Sequence, residues 1–453
     1  MVDFYLVSKR ASVIIILLVC FVVTATASPG SLDTTFGTNG IYNDALTNHA
    51  SYTLTPYDLV QQPDGMILVV GSYNDGLTTL GTTRVLLRRY TRNGPFDSQF
   101  GLDGFAVANR IQGPVEVYGV GRAAVVQSDY KIVVAGFTYA TNNSADTRLT
   151  LWRFTSGGEL DTTFGVDGQV TLFSPSVGKA AAVRMSQGKI LVAGNVTQAS
   201  TDYTIMTRLN LDGTIDPSFG MSGIVIAGSA SGSTLSGLYE IGGPRALAVQ
   251  SVSGDIFLSG HYTDASHHLG IARYDQAGNP VLSFGTNGVA MTPAGLSNGS
   301  CILANSTLTK YSNILLYTDG SVGATGSMGD LAASFFFSYF LGRYGANGVA
   351  DTGFAQVGHI KGPCLTNPSR ALDSTVLQSD GKIVYLAPAN SSASQTLFRV
   401  NSDGTQDTTY VPPNLDFGYT QFLMLQGATK TVRLGVYTVN TNKVRVKLAR
   451  YLP

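Results

Sequence analysis

Residues 31–40 read SLDTTFGTNG, and variants of that phrase return along the whole chain, as FDSQFG from Phe96, LDTTFG from Leu160 and IDPSFG from Ile215. Weaker copies begin at Val281, Ala350 and Gln406. The anchoring aromatics, Phe36, Phe100, Phe164, Phe219, Phe284, Phe354 and Tyr410, are separated by 64, 64, 55, 65, 70 and 56 residues. A period near 60 residues means that one supersecondary unit is reused. Arg89, Arg153, Arg208, Arg273, Arg343 and Arg399 each stand eleven residues before their aromatic. Insertions are therefore excluded from this part of the unit.

Upstream of each arginine lies an apolar run entered through a polar turn, as in QSDYKIVVAG from Gln127, SQGKILVAG from Ser186 and QSDGKIVYL from Gln378. Short β-branched runs bounded by Asp, Gly and Ser read as strands joined by tight turns. One unit parses as four strands: RAAVVQ, KIVVAGF, LTLWRF, and a bent fourth strand made of DTTFG and GQVTLF. Nothing of helical period intervenes. Four short antiparallel strands per repeat, set around a ring, predict an all-β fold, a β-propeller of four-stranded antiparallel blades. After Tyr410 three strands remain, and the chain stops where other units continue into DTTFG, whereas residues 31–45 are a fourth strand lacking its first three. The two ends complement each other and close a seventh blade. An unclosed ring would expose unpaired edge strands, which invite aggregation.

The motifs LDTTFGxxG, QSDGKIVVAG and ARY, in this order and spacing, resemble the delta-60 repeat family of predicted secreted or surface bacterial β-propellers. The resemblance covers nearly all of residues 31–453 and implies a propeller, with no common activity attached. Val281 replaces the motif Asp in the fourth unit, and Lys310 to Asn313 are read as replacing the usual SDG turn in the fifth. WD dipeptides and Asp-boxes, the marks of other propeller families, are missing.

Lys9 and Arg10 precede an apolar stretch from Val13 to Val23 and then Thr24-Ala25-Thr26-Ala27. This predicts a secretory signal peptide over residues 1–27, followed by a single propeller domain over 31–453. The stretch is short for a membrane span, which needs about 20 apolar residues. Without residues 1–27 the chain keeps 27 basic and 28 acidic side chains. With 13% charged residues and no basic run, nucleic acid and anionic membranes are excluded as partners on electrostatic grounds. Secretion, to the periplasm or the cell surface, as a monomer without a cofactor, is the expectation. Cys301 and Cys364 form an even pair in an oxidising compartment, open to a disulfide or to two buried thiols.

The motif aspartates Asp33, Asp97, Asp161, Asp216, Asp351 and Asp407 are read as structural. A group present in most blades is what every blade needs to fold. Each is expected to cap its turn or to pair with the Arg eight residues earlier, Arg89, Arg153, Arg208, Arg343 and Arg399, with Arg450 reaching Asp33 across the chain ends. Asp103 and Asp167 lie in glycine turns that lack the alternating oxygen ligands of a calcium loop. His261 and His268, set opposite each other with Asp264 at the hairpin tip, offer a Zn²⁺ or Ni²⁺ site, or else a solvated tip. No GxSxG motif, Cys–His pair or phosphate loop occurs, and Glu116, Glu159 and Glu240 are the only glutamates.

The loops between second and third strands differ most between units and are rich in Tyr, Thr, Ser, Asn and Gly. All should emerge on one face, where they form a recognition surface or simply drift. Tyr73 and Tyr139 belong to it. The fifth blade reads as an outlier whose loop from Thr318 to Ser334 leads into an aromatic patch with Phe336 and Tyr339. The functional expectation is a non-catalytic binding or adhesion propeller that recognises a protein or glycan. The alternative is a carbohydrate-active or other hydrolytic propeller with acidic residues in its central funnel.

Overall fold

The computed structural model describes residues 27–46, 53–74, 83–108, 110–112, 115–140, 143–173, 177–229, 238–241, 243–262, 268–292, 312–330, 336–362, 374–388, 395–418, 420–440 and 443–453. They form seven antiparallel sheets, the blades of a β-propeller. Blade 1 runs Thr53–Gln61, Ile67–Asn74, Thr83–Tyr90, Phe105–Ala108 from its inner to its outer strand. Blades 2 and 3 repeat the order from Val115–Val126 and Val177–Ser186, and in blade 2 a short extra strand, Arg110–Gln112, pairs with residues 115–117. In blade 4 the inner strand comes in two pieces, Leu238–Ile241 and Leu247–Val249, both paired with Ile256–Tyr262. Blade 6 contributes three strands, its chain continuing past Asp407 without a regular fourth. Blade 7 is composite: Thr420–Gln426, Lys430–Asn440 and Lys443–Tyr451 from the C-terminal end are completed by Ile41–Asp44. Ile41 stands opposite Ala449 and Asp44 opposite Val446.

The core is divided among the seven interfaces between blades, each holding one apolar cluster. The motif aromatic lies in each: Phe36, Phe100, Phe164 and Phe219 are fully buried, and Phe284, Phe354 and Tyr410 nearly so. Burial of one such ring stabilises by about 1.5–3 kcal/mol, and the set is distributed evenly around the ring. The segment expected as a bent fourth strand is instead a tight turn followed by a short strand, Gln169–Leu172 in blade 2. The cause is local. Asp161 Oδ1 accepts the amide and hydroxyl of Thr163, and the Phe164 amide donates to the Asp161 carbonyl, which curls the backbone out of the sheet.

The turn also docks on the following blade. Gly37, Gly101, Gly165, Gly220 and Gly285 donate their amides to carbonyls of Asn93, Gly157, Asp212, Ala277 and Asn347, in the turn between strands three and four of the next blade. Each acceptor is followed by a glycine with positive φ, Gly94 and Gly158 among them, on which the aromatic ring of the preceding blade lies. A Cβ on Gly158 would fall 3.0 Å from the Phe100 ring. The same contact runs from Tyr410 to Gly30, so the N-terminal segment serves the sixth blade as well as the seventh.

Strand-two glycines answer a different need. The inner strands of blades 1, 2 and 3 carry a bulge at Pro56/Asp58, Gly121/Ala123 and Ala180/Ala182. A bulged strand pushes a carbonyl toward its neighbour. A Cβ on Gly71, Gly136 or Gly194 would lie 2.2, 1.9 or 2.5 Å from the carbonyl oxygen of Thr55, Val120 or Lys179. This is why the KIVVAG run ends in glycine.

Candidate functional site

The motif carboxylates and arginines meet at the blade interfaces. Arg89–Asp97, Arg153–Asp161, Arg208–Asp216, Arg399–Asp407 and Arg450–Asp33 lie 2.7–2.9 Å apart, and Arg343–Asp351 3.3 Å. A lysine from the strand-two turn joins four of these pairs: Lys131, Lys189, Lys382 and Lys430. The guanidinium then reaches into the next blade. Arg89 donates to Ser156 O, Arg208 to Gln276 O, Arg273 to Ala346 O, Arg343 to Ser402 O and Arg450 to Arg92 O, at 2.7–3.1 Å. In blade 4, Val281 leaves Arg273 without the motif carboxylate, and Asp255 stands where other blades carry the lysine. Arg273 pairs with Asp255 at 2.5 Å. The carboxylate has changed strand and the arginine has kept its partner.

These groups are joints between blades. Burial alone would raise the Asp407 carboxyl, but the hydroxyl and amide of Thr409 and the Arg399 guanidinium outweigh it and hold its pKa at about 2. Asp33, Asp161 and Asp216 are held well below the carboxylate range against the same burial. Carboxylates of the unfolded chain titrate near about 3.9, so below that pH the unfolded chain takes up more protons than the ring. The stability these pairs provide is fully present above about pH 4 and drains away as the pH falls toward 2. Thermal melts followed by circular dichroism should show a midpoint that is level from pH 5 to 7 and falls steeply below pH 4. A midpoint flat down to pH 2.5 contradicts this.

Several residues expected at a site are placed elsewhere. Tyr73 is buried in the cluster between blades 7 and 1 and its hydroxyl accepts from Arg84. Tyr139 is partly buried against Tyr118, with ring centroids 5.2 Å apart. In blade 5, Tyr317 to Ser321 form the turn between strands one and two, and Val322–Asp330 is strand two. The segment read as a long loop from Thr318 is therefore mostly regular, and residues 331–335 alone lie outside the described residues. Phe336 opens the third strand opposite Asp330. Tyr339 packs 5.5 Å from Tyr385 between blades 5 and 6, and Phe340 is fully buried. Tyr339 and Phe340 thus belong to the core and not to an adhesive patch.

In blade 4 the register sets Tyr262 opposite His268 and His261 opposite Leu269. His261 and His268 are not cross-strand partners, because the hairpin is one residue longer than the expected pairing requires. Asp264 lies outside the described residues, as do Cys301, Cys364 and residues 1–26. Asp103 and Asp167 take left-handed backbone at φ 53°, the conformation that Asp and Asn tolerate best among residues with a Cβ, before Gly104 and Gly168. They are turn residues.

Residues from the inner edges of all seven blades line a cavity of about 490 Å³, within the range of small-ligand sites. Its walls are mainly aliphatic, with Val125, Ile314, Leu315, Val376 and Met424, and three charges face it: Asp58, Arg184 and Arg245. Asp58 is buried and committed, its oxygens accepting the amides of Leu59 at 2.8 Å and Ala124 at 3.3 Å. Arg245, from the inner edge of blade 4, crosses the axis. Its Nη1 donates to Ser374 Oγ and Thr375 O of blade 6 and its Nη2 to Leu59 O of blade 1, at 3.3–3.5 Å, the long end of hydrogen-bond geometry. Arg184 donates Nη1 to the carbonyl of its neighbour Val183. Burial lowers the pKa of both guanidiniums, Asp58 opposes the shift, and Arg245 adds to it at Arg184. Sequence reasoning did not find these arginines. The visible signal was Arg184 in AAAVRMS, a charge where the corresponding strands carry Val60, Val125 or Val376.

Residues 62–100, 127–164, 186–219 and 378–410 match the family described as "Domain of unknown function (DUF5122) beta-propeller". These stretches run from the first turn to the motif aromatic of blades 1, 2, 3 and 6. Blade 4 departs at Val281, blade 5 at Ala355, and blade 7 is split between the chain ends. No curated protein matches the sequence. Among solved structures, a protein of unknown function from Dyadobacter fermentans is similar over 91% of this chain and 100% of its own, at 9% identity and a TM-score of 0.43. An α-L-arabinanase of Penicillium chrysogenum is similar over 72% of this chain and 91% of its own, at 13% identity and a TM-score of 0.39. A mutant Trypanosoma rangeli sialidase is similar over 88% of this chain and 54% of its own, at 12% identity and a TM-score of 0.40.

Proposed function

We propose that this chain is a secreted, non-catalytic binding propeller of the delta-60 type, which takes part of a protein or glycan into its axial channel and frames it with the variable loops around one mouth. The observation that carries this reading is the charge inventory of the channel. Most glycoside-cleaving sites use two carboxylates about 5–10 Å apart, one of them free to move a proton. Among the described residues the channel lining has one, Asp58, and both its oxygens already accept backbone amides. Two guanidiniums face the same space, and groups of that kind bind and orient without transferring protons at neutral pH.

Antiparallel connectivity supports the placement. Connections one-to-two and three-to-four share one end of every blade, and these are the tight turns that lock the ring. Connections two-to-three and four-to-one share the other end, where chain length varies without disturbing the joints. Probing arrays of glycans and extracellular proteins with the labelled protein should give saturable binding to a partner class and no release of product from it. Turnover of an arrayed glycan would overturn the reading.

A further inference from the structure

We propose that the axial channel is an anion site, built to hold a carboxylate carried on an aliphatic group between Arg184 and Arg245. The inference rests on the binding reading above and narrows its ligand. Among the described residues the hydrogen-bond partners of the two guanidiniums are all neutral oxygens, and Asp58 alone is acidic in the lining. Arg184 carries five N–H donors, of which one has a protein partner among the described residues, the Val183 carbonyl. Arg245 is held by three long contacts to neutral oxygens. Two cations against one committed anion leave the channel with a net positive charge.

Low-dielectric walls strengthen that field, and a guanidinium fork matches a carboxylate in two parallel hydrogen bonds. A guanidinium keeps its proton at such a site, and an incoming carboxylate exchanges water around these two partly buried side chains for charge-assisted hydrogen bonds. The walls choose among anions. Val125, Ile314, Leu315 and Met424 offer apolar contact, and among the described lining residues there is no aromatic platform for a sugar ring. A branched aliphatic carboxylate, whether the C-terminus of a peptide ending in an apolar residue or a free acid, fits both features.

The test uses the whole protein and four probes: N-acetyl-leucine, 4-methylpentanoate, glucuronate and the neutral N-acetyl-leucinamide. Binding is read by calorimetry at constant ionic strength, and by protection of Arg184 and Arg245 from phenylglyoxal, measured by peptide mass spectrometry on the unmutated protein. Both aliphatic carboxylates should bind saturably, at least tenfold tighter than the amide, and shield both arginines. Arg184→Met and Arg245→Met should each weaken binding at least tenfold without moving the melting midpoint of the free protein by more than a few degrees. Should these variants fail to fold, the protection experiment decides alone. N-acetyl-leucine binding tenfold tighter than 4-methylpentanoate identifies a peptide C-terminus, whereas equal affinity identifies any aliphatic acid. Carboxylates no tighter than the amide, or no protection, overturn the site. Glucuronate binding in preference to the aliphatic acids overturns the aliphatic assignment. A partner found on the arrays together with no carboxylate binding would sink this inference and leave the binding reading standing.

Discussion

A chain that begins at residue 47 is expected to lose its cooperative thermal transition and to aggregate. Removing residues 27–46 takes away the outer strand of blade 7 and leaves Lys443–Tyr451 as an unpaired edge. It also empties the blade 7–blade 1 cluster of Phe36, a loss of about 1.5–3 kcal/mol. Arg450, buried beside Asp33, is stranded without its carboxylate, which costs about 3–5 kcal/mol more. Gly30 no longer receives Tyr410 from blade 6. Together these losses rival the whole stability of an ordinary domain, about 5–15 kcal/mol. Circular dichroism and light scattering on the truncated chain check the expectation, and a synthetic peptide of residues 27–46 added in trans should restore the monodisperse form. A truncated chain that melts at the same temperature and stays monodisperse contradicts the ring closure.

Asp44→Ala should be the most damaging single substitution in the closure. Asp44 is buried at the end of the N-terminal strand, and its Oδ2 accepts from Arg88 Nε at 2.9 Å, Arg88 Nη2 at 2.8 Å and the Tyr90 hydroxyl at 3.0 Å. The guanidinium lies between the Phe105 and Phe96 rings, 3.9 and 4.2 Å from their centroids. Removing one partner of a buried pair strands the other charge, at a cost of about 3–5 kcal/mol. Arg88→Met should cost comparably, and the double variant much less than the two singles together, because the stranded charge is then gone. Urea unfolding of the four proteins measures the cycle. Additive costs would show that the pair is not coupled.

What every blade needs was legible in the sequence because it is written many times over. The aromatic, the arginine eleven residues before it and the aspartate between them recur at fixed spacing, and the structure uses all three at every joint but that of blade 4. The swap of Asp255 for Val281 shows why a single missing copy is harmless. The Asp44–Arg88 pair escaped notice because it occurs once and links residues from two blades. Blade 5 was misread for want of a lysine: Ser321 stands as far before Arg343 as Lys131 before Arg153, so the Thr318–Ser321 turn is in its ordinary place.

Tyrosines next to loops misled for another reason. Both faces of a propeller blade pack against neighbouring blades, so a period of two does not separate core from surface, and Tyr73 and Tyr339 are covered either way. The channel was the least legible part. Arg184 is visible as a charge in an apolar strand, and Arg245 follows Gly-Gly-Pro like any loop residue. That they face one space depends on inner strands from seven blades converging on one axis.

That the channel binds and does not cut is tested most directly by the mass of a captured array partner after long incubation with the protein at neutral pH. The partner should be recovered intact, by the unmutated protein and by Asp58→Asn alike. A cleaved partner, formed by the unmutated protein and not by Asp58→Asn, would contradict it and make Asp58 the acid or base of a hydrolase.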